Sequence, residues 1–227
     1  MNCTICDGNS FFQLKVLWPE LIAAWELSEE EVTCIDRQQG YGCWGCGASL
    51  RVMALGKAIR HAIGTSRTMR ELAGEPRLAR LRLLDINGAY PISGALAALP
   101  GYVRRDFPDV NMEALPYPDG SFDLVVHSDT LEHVPDPIRG LEECRRVLAP
   151  GGRLCFTVPI VVGRLTRSRK GLPKSWHGKA DSNPDDFLVH TEYGADAWTQ
   201  VMRAGFGHVA IHELGYPAAL SMTAWND

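Results

Sequence analysis

A buried strand followed at once by a dense polar cluster is the feature that most constrains what this chain can fold into. After a turn containing Pro and Gly, the sequence from Phe122 to Asp136 reads "FDLVVHSDTLEHVPD". The apolar run is typical of a strand in a parallel sheet, and His127 and Ser128 follow at its carboxyl end. Ligands of α/β proteins bind at the carboxyl ends of strands, where helix N-termini point their N–H groups outward. This stretch therefore predicts a ligand site at a sheet edge.

Short apolar runs alternate with turns and amphipathic segments from Leu81 onwards, which predicts a doubly wound α/β sheet. The strongest helical pattern begins with Asp136 as its N-cap and Pro137 in its first turn, and "APGG" ends it. The candidate strands are "LRLLDI", "GYVRRD", "FDLVVHS", "RLCFTVPI", "GHVAIHEL" and "AALSMTAW".

Five of the seven cysteines lie within the first 50 residues, which predicts a separate zinc-binding module over residues 1–50. The segment between its cysteine pairs reads as mostly helical, with Ser28 as a helix N-cap. Residues 51–80 are interpreted as connecting helices, and residues 81–227 as the main domain. That domain contains an irregular insertion at about residues 160–193, and connections of such length are often functional.

Two Cys-x-x-Cys pairs predict one structural Zn²⁺ site, because each pair forms a knuckle and four thiolates complete a tetrahedron. The ligands are Cys3, Cys6, Cys43 and Cys46. No open coordination position is indicated, so the metal is not interpreted as catalytic. Cys144 and Cys155 lie in apolar patterns and are interpreted as buried thiols. The role of Cys34 is left open: it is either a core residue or a redox-active thiol.

The joint occurrence of "LPYPDGSFDLVV" and "LEECRRVLAPGGRLCFTVP" resembles the class I S-adenosylmethionine-dependent methyltransferases, in the subgroup that acts on small molecules. The resemblance covers residues 81–214 and implies a Rossmann-like sheet of seven strands with the cofactor lying across the ends of the first four. The segment "CWGCGASLRVMALGKAI" is similar to zinc modules of bacterial methyltransferases encoded with glycan or natural-product pathways.

Carried over by position, the resemblance implies a set of cofactor-binding residues at the ends of the strands. They are Asp85, Asn87, Gly88, Asp106, Asn111, Met112, His127, Ser128 and Leu131. The loop after the first strand departs from the family's glycine-rich pattern, because Gly88 is its only remaining glycine in the tight turn. We expect Asn87 to replace one glycine, since Asn tolerates left-handed backbone conformations. Asp129 and Glu132 also fit a capping box that serves only the helix start.

The segment from Gly163 to Lys179 contains six cations and no acid. It is either a solvated loop or a substrate lid whose cations attract phosphate or carboxylate groups. The candidate substrate residues are Arg167, Lys170, Trp176, His177 and Tyr193. The candidate general bases are His127, His133 and His177, because histidine accepts protons near neutral pH.

The leading hypothesis is methyl transfer to O or N of a small anionic metabolite or a glycan or natural-product precursor, phosphorylated or nucleotide-linked. One alternative is a non-catalytic methyltransferase-like protein that docks a partner through its zinc module. Another is an RNA or protein methyltransferase, which the net charge of −4 disfavours because nucleic-acid binders are usually basic. No secretory or membrane-spanning pattern is present in the sequence, so we expect no membrane association and a cytoplasmic location.

Overall fold

A computed structural model describes residues 1–177 and 187–227 of the chain. Its helices are α1 (Pro19–Ala24), α2 (Glu29–Gly40), α3 (Leu50–Ala62), α4 (Ile92–Leu96), α5 (Pro137–Val147) and α6 (Trp198–Arg203). Its strands are β1 (Phe11–Gln13), β2 (Tyr41–Cys43), β3 (Leu83–Ile86), β4 (Tyr102–Arg105), β5 (Phe122–Ser128), β6 (Leu148–Thr157), β7 (Ile160–Val161), β8 (Arg167–Ser168), β9 (Thr191–Gly194), β10 (His208–Leu214) and β11 (Ala219–Trp225). None of the helices in these described parts is long and apolar enough to cross a membrane.

The central sheet is mostly parallel and has the strand order β10-β11-β6-β5-β3-β4. Strands β3, β4, β5 and β6 run parallel to one another, whereas β11 pairs antiparallel with both β6 and β10. The expected α/β class is therefore confirmed, but the count of seven strands is wrong for the described residues, since this sheet has six. The chain between β4 and β5 forms turns around Pro108, Pro116 and Pro118 instead of a further strand, and proline lacks the N–H that a ladder needs.

Helices cover both faces of the sheet. On one face Leu55 and Ile59 of α3 share a buried core with Leu124 of β5, and Ile5 of the N-terminal region joins the same core. On the other face α5 and α6 pack over the second core cluster, which includes Val125. The expected N-caps are confirmed: Ser28 accepts from the Glu31 amide at 3.3 Å, and the Asp136 side chain caps α5. The division of the chain at residues 50 and 80 stays a prediction.

One arginine of the insertion fastens it to the N-terminal region. The Arg164 guanidinium donates to the main-chain oxygens of Trp25 and Glu26, both at 2.8 Å, and to Glu31 Oε2 at 2.7 Å. These bonds join segments that lie more than 130 residues apart in the sequence. The cation therefore serves to hold two parts of the chain together.

The Arg164–Glu31 pair should make the stability of the fold depend on acid pH. The guanidinium holds the pKa of Glu31 at about 2, below its ordinary 4.5, so the pair contributes stability above about pH 5 that is lost as the pH falls towards 2. We expect Glu31→Gln to lower the free energy of unfolding by about 1.5–3 kcal/mol at pH 7 and by much less at pH 3. Denaturant titrations at both pH values measure this. The matched control is Glu30→Gln at an exposed neighbour, and an equal loss at both pH values would contradict the prediction.

Candidate active site

Two cavities adjoin at the carboxyl ends of the parallel strands. The strand-end cavity has a volume of about 650 Å³ and is lined by Ile86, Asn87, Asp106, Phe107, Val110, Asn111, Met112, Glu113, Ser128, Asp129, Thr130, His133, Val134, Pro135, Phe187, Leu188 and His190. The apolar cavity has a volume of about 310 Å³ and is lined by Val16, Leu17, Trp18, Leu21, Trp25, Leu27, Ile35, Gln39, Asp129, Glu132, His133, Pro159, Val161, His177 and Phe187. Asp129, His133 and Phe187 line both, so a ligand in one cavity would lie beside a ligand in the other.

The loop after β3 forms its tight turn with an asparagine in a glycine-like conformation. Asn87 has a φ of 63° and Gly88 a φ of 65°, which confirms that Asn87 takes a left-handed position. The Asn87 Oδ1 atom accepts from the amide of Phe107 at 2.7 Å and so ties the end of β3 to the end of β4. At Gly88 an added Cβ would lie 2.5 Å from the Arg104 guanidinium carbon, so a side chain there would collide with that arginine.

Five of the expected cofactor residues line the strand-end cavity: Asn87, Asp106, Asn111, Met112 and Ser128. Asp106 is half exposed and pairs with Arg104 at 2.9 Å. The Ser128 hydroxyl lies 2.8 Å from the Thr157 hydroxyl and also receives a bond from Arg51.

The other expected cofactor residues lie behind the cavity wall rather than on it. Asp85 is fully buried, accepts from the Tyr102 hydroxyl at 2.8 Å, and has its pKa raised by burial. Gly88 shapes the turn, and Leu131 packs into the core under α5. These residues can act on a ligand only through the neighbours that they position.

His127 does not line either cavity. Its ring is fully buried and stacks on Phe156 with the ring centroids 4.8 Å apart, and neither ring nitrogen has a hydrogen-bond partner among the described residues. Burial lowers its pKa to about 3, so the imidazole is neutral. The geometry therefore does not support His127 as a base or as a cofactor contact.

The two acids interpreted as a capping box have other roles, so that interpretation is wrong. The short 3-10 helix Leu131–His133 has Thr130 as its N-cap, with no capping bond from a side chain. Asp129 has a φ of 43° and its carboxylate lies 2.9 Å from both Arg51 Nε and Gln39 Nε2. Glu132 is 1% exposed and faces the apolar cavity. Its pKa is raised well above the usual value by burial and by the charge of Asp129.

His133 lies where the two cavities meet. Its Nδ1 atom is 3.1 Å from the carbonyl oxygen of Leu188, and because a carbonyl only accepts, Nδ1 carries the proton. The Nε2 atom of the neutral ring therefore bears a lone pair, and it lies 3.6 Å from Glu132 Oε1. Burial lowers the pKa of His133, which keeps this ring in the proton-accepting form.

His177 stands beside His133 on the wall of the apolar cavity. The two ring centroids are 6.1 Å apart, and the His177 ring also contacts Trp25 at 4.8 Å. Burial lowers the pKa of His177 to about 4, so this second imidazole is also uncharged at neutral pH.

Most of the expected substrate residues lie away from both cavities. Arg167 pairs with Glu192 at 2.7 Å, and Tyr193 is buried and donates to Gln200 at 3.0 Å. Trp176 is half exposed and forms a β-bridge with Leu188, while Lys170 lines a separate pocket of about 240 Å³. His177 is the member of this set that the structure brings to the apolar cavity. Lys179 lies outside the described residues.

The four cysteines of the two pairs converge as the sequence predicts. Their sulfur atoms lie within 4.8 Å of one another, with Cys3 to Cys46 at 3.6 Å and Cys6 to Cys43 at 3.7 Å. Sulfurs placed tetrahedrally at about 2.3 Å from a Zn²⁺ ion are separated by roughly 3.8 Å, so the spacing fits this metal. Main-chain N–H groups also turn onto the sulfurs, including that of Gly8 onto Cys6. Cys144 and Cys155 are buried thiols, and Cys34 is half-buried with its pKa raised by burial.

A family model described as a methyltransferase domain matches residues 43–156. This match spans half of the chain and contains the loop after β3, strand β5 and helix α5. The chain therefore belongs to this methyltransferase family.

Curated relatives match over shorter stretches. The ubiquinone/menaquinone biosynthesis C-methyltransferase UbiE of Methylobacterium nodulans is 45% identical over 37% of this chain and 34% of its own length. A demethylmenaquinone methyltransferase of Mycobacterium sp. is 36% identical over 48% of this chain and 52% of its own. The matched part of the chain thus spans about half or less of these relatives. Among solved structures, the CMeT domain of the citrinin polyketide synthase is 15% identical, covers 90% of this chain and 59% of its own, and has a TM-score of 0.46.

Proposed function

We propose that the protein is an S-adenosylmethionine-dependent methyltransferase acting on a small molecule. The observation that carries this proposal is the pair of adjoining cavities with the neutral His133 between them, in a chain of the methyltransferase family. The donor occupies the strand-end cavity and the acceptor the apolar one. Methyl transfer is an in-line displacement, so the main task of the protein is to hold the two reactants together and to exclude water.

The strand-end cavity has the side chains that the cofactor requires. Its volume of about 650 Å³ is within the range of nucleotide-sized ligand sites. Asp106 presents a carboxylate to ribose hydroxyls, and the buried Met112 offers an apolar surface to the adenine. Bound S-adenosylmethionine would supply an electrophilic methyl group at the junction of the cavities.

His133 is the proton acceptor in this proposal. Its Nδ1–H is held by a main-chain carbonyl, which orients the ring and leaves Nε2 free to take a proton from the acceptor. His177 and Glu132 lie next to it and are available to bind a polar group of the acceptor. An anionic acceptor has no support from the lining, because the described residues of both cavities contain neither Lys nor Arg.

The atom that receives the methyl group has two candidates. The hypothesis drawn from the sequence favours O or N, whereas the name of one relative, a C-methyltransferase, favours carbon. A hydroxyl and an acidic C–H both lose a proton in the reaction, so His133 serves either case. Mass spectrometry with fragmentation of the methylated product distinguishes the two.

We also propose that the four clustered cysteines hold a structural Zn²⁺ ion. The donor set is all sulfur and closed, which is typical of zinc sites that stabilise a fold rather than catalyse. The partner-docking alternative for this module and a cytoplasmic location stay predictions.

Calorimetric titration with S-adenosylhomocysteine tests the donor site. Two variants of Asn87 separate the effect of its backbone conformation from the effect of its side-chain bonds. We expect Asn87→Ala to weaken binding about tenfold. The left-handed backbone conformation costs Ala roughly 1–2 kcal/mol, and the hydrogen bond to the Phe107 amide is lost. Asn87→Gly loses only the side-chain bonds and should be affected less. No binding to the wild-type protein at millimolar ligand would contradict the proposal, and equal affinities for both variants would show that the backbone conformation is unimportant.

A further inference from the structure

We infer that the apolar cavity is the acceptor subsite for a flat, uncharged molecule of one or two fused rings carrying a hydroxyl group, and that the cysteine-bearing N-terminal region forms its specificity wall. The inference deepens the proposed function and rests on it for the position of the methyl donor. It assigns residues 16–39 to substrate recognition.

The N-terminal region contributes most of the apolar wall of the cavity. Seven of the ten apolar lining residues come from the segment around α1 and from α2: Val16, Leu17, Trp18, Leu21, Trp25, Leu27 and Ile35. The other three are Pro159, Val161 and Phe187. Aromatic and aliphatic side chains of this kind bind rings by burying apolar surface and by stacking. The lining also carries the polar groups of Asp129, Glu132 and His133.

The size of the cavity restricts the acceptor. An apolar protein cavity of about 150 Å³ is large enough to bind benzene. The volume of about 310 Å³ found here is twice that and therefore accommodates one ring with substituents or two fused rings. A nucleotide-linked sugar is much larger than this space.

The charges around the cavity favour an uncharged acceptor. The described lining contains neither Lys nor Arg, and the carboxylate of Asp129 is already bonded to Arg51 and Gln39. His133 and His177 are neutral because burial lowers the pKa of each. A buried anion would therefore lose its hydration without gaining a cation, whereas a neutral hydroxyl can hydrogen-bond to the imidazole and carboxyl groups.

Trp25, one of the aromatic side chains of the wall, is held in place before any ligand binds. The Trp25 indole donates to the Ser175 hydroxyl at 2.8 Å, and the Arg169 guanidinium lies 5.3 Å from the centre of its ring. The Trp25 carbonyl accepts from Arg164. The cations of the insertion thus orient this wall, which lowers the entropic cost of binding a rigid ring.

Calorimetry with the zinc-loaded full chain tests the inference, with 2-naphthol, 2-naphthoate and UDP-glucose as probes in the presence and absence of S-adenosylhomocysteine. We expect 2-naphthol to bind at least tenfold more tightly than either anion. Leu17→Trp fills the cavity and should weaken 2-naphthol binding at least tenfold, while the affinity for S-adenosylhomocysteine changes less than twofold. The matched control is Leu14→Trp, which adds the same side chain at an exposed position outside the cavity and should leave both affinities unchanged.

Trp18→Ala is a second variant in case Leu17→Trp does not fold, because Trp18 is 42% exposed and its truncation leaves the core intact. It should weaken 2-naphthol binding at least threefold. Preference for an anionic probe, absence of 2-naphthol binding, or unchanged affinity in both Leu17→Trp and Trp18→Ala would overturn the inference. Loss of S-adenosylhomocysteine binding with retained selective binding of 2-naphthol would instead refute the proposed function and support the assignment of the cavity.

Discussion

Replacement of His133 by Ala should lower kcat for methyl transfer to a phenolic acceptor by about 10²–10⁴-fold, the usual contribution of a general base. In the proposed function His133 is the proton acceptor at the junction of the two cavities, because the bond from its Nδ1–H to the Leu188 carbonyl leaves the lone pair on Nε2. The affinity for S-adenosylhomocysteine should change less than threefold, because sixteen other described residues line the strand-end cavity and are unchanged. The measurement is the initial rate of transfer of a radiolabelled methyl group.

The same histidine should set the acid limb of the pH profile. A base works in its unprotonated form, and burial lowers the pKa of His133 below the ordinary 6.5. We therefore expect kcat/KM to stay level as the pH falls to about 6.5 and to decline only below it, and this limb should be missing from the residual activity of His133→Ala. The control is His208→Ala, which changes an exposed histidine that lines neither cavity. A His133→Ala enzyme with wild-type kcat would show that the acceptor loses its proton without this residue.

The sequence predicted the elements that local patterns determine. Strand β5 and the polar residues after it, the N-cap Asp136 of α5, and the left-handed Asn87 all follow from periodicity and from backbone preferences within a few residues. The cysteine site was also predictable, because two Cys-x-x-Cys pairs specify four ligands without knowledge of the fold.

What the sequence did not reveal depends on contacts between distant segments. The Asp129–Glu132 pattern fits a capping box locally, but Asp129 bonds to Gln39, 90 positions away, and Glu132 faces a cavity closed by α1. Arg164 and Arg169 read as free cations for an anionic ligand, yet their carboxylate partners are Glu31 and Glu192. No local pattern indicates which charges will pair across such distances, so the apolar character of this cavity emerged only from the structure.

Loss of the proposed Zn²⁺ ion at the four cysteines should have the largest effect on stability. We expect Cys6→Ser to reduce the bound zinc from one ion per chain to none and to lower the thermal midpoint by at least about 10 °C, because structural zinc sites contribute strongly to folding and a chain of this size loses about 2–4 °C per kcal/mol. Elemental analysis and differential scanning calorimetry measure both. The matched control is Cys34→Ser, which replaces a half-buried cysteine outside the cluster. This variant should keep one zinc ion per chain.

Loss of the metal should also lower the affinities for 2-naphthol and for S-adenosylhomocysteine to different extents. The cysteine cluster packs into the core beneath α3, and the region between its pairs forms the wall of the apolar cavity. The strand-end cavity is lined mostly by the sheet and by the loops after β3, β4 and β5, with Phe187, Leu188 and His190 of the insertion, and by no described residue of the N-terminal region. Affinity for 2-naphthol should therefore fall at least tenfold, while affinity for S-adenosylhomocysteine falls less than threefold. Equal losses of both would show that the cysteine site supports the whole fold rather than the acceptor wall, and an unchanged thermal midpoint would show that the four sulfurs hold no structural metal.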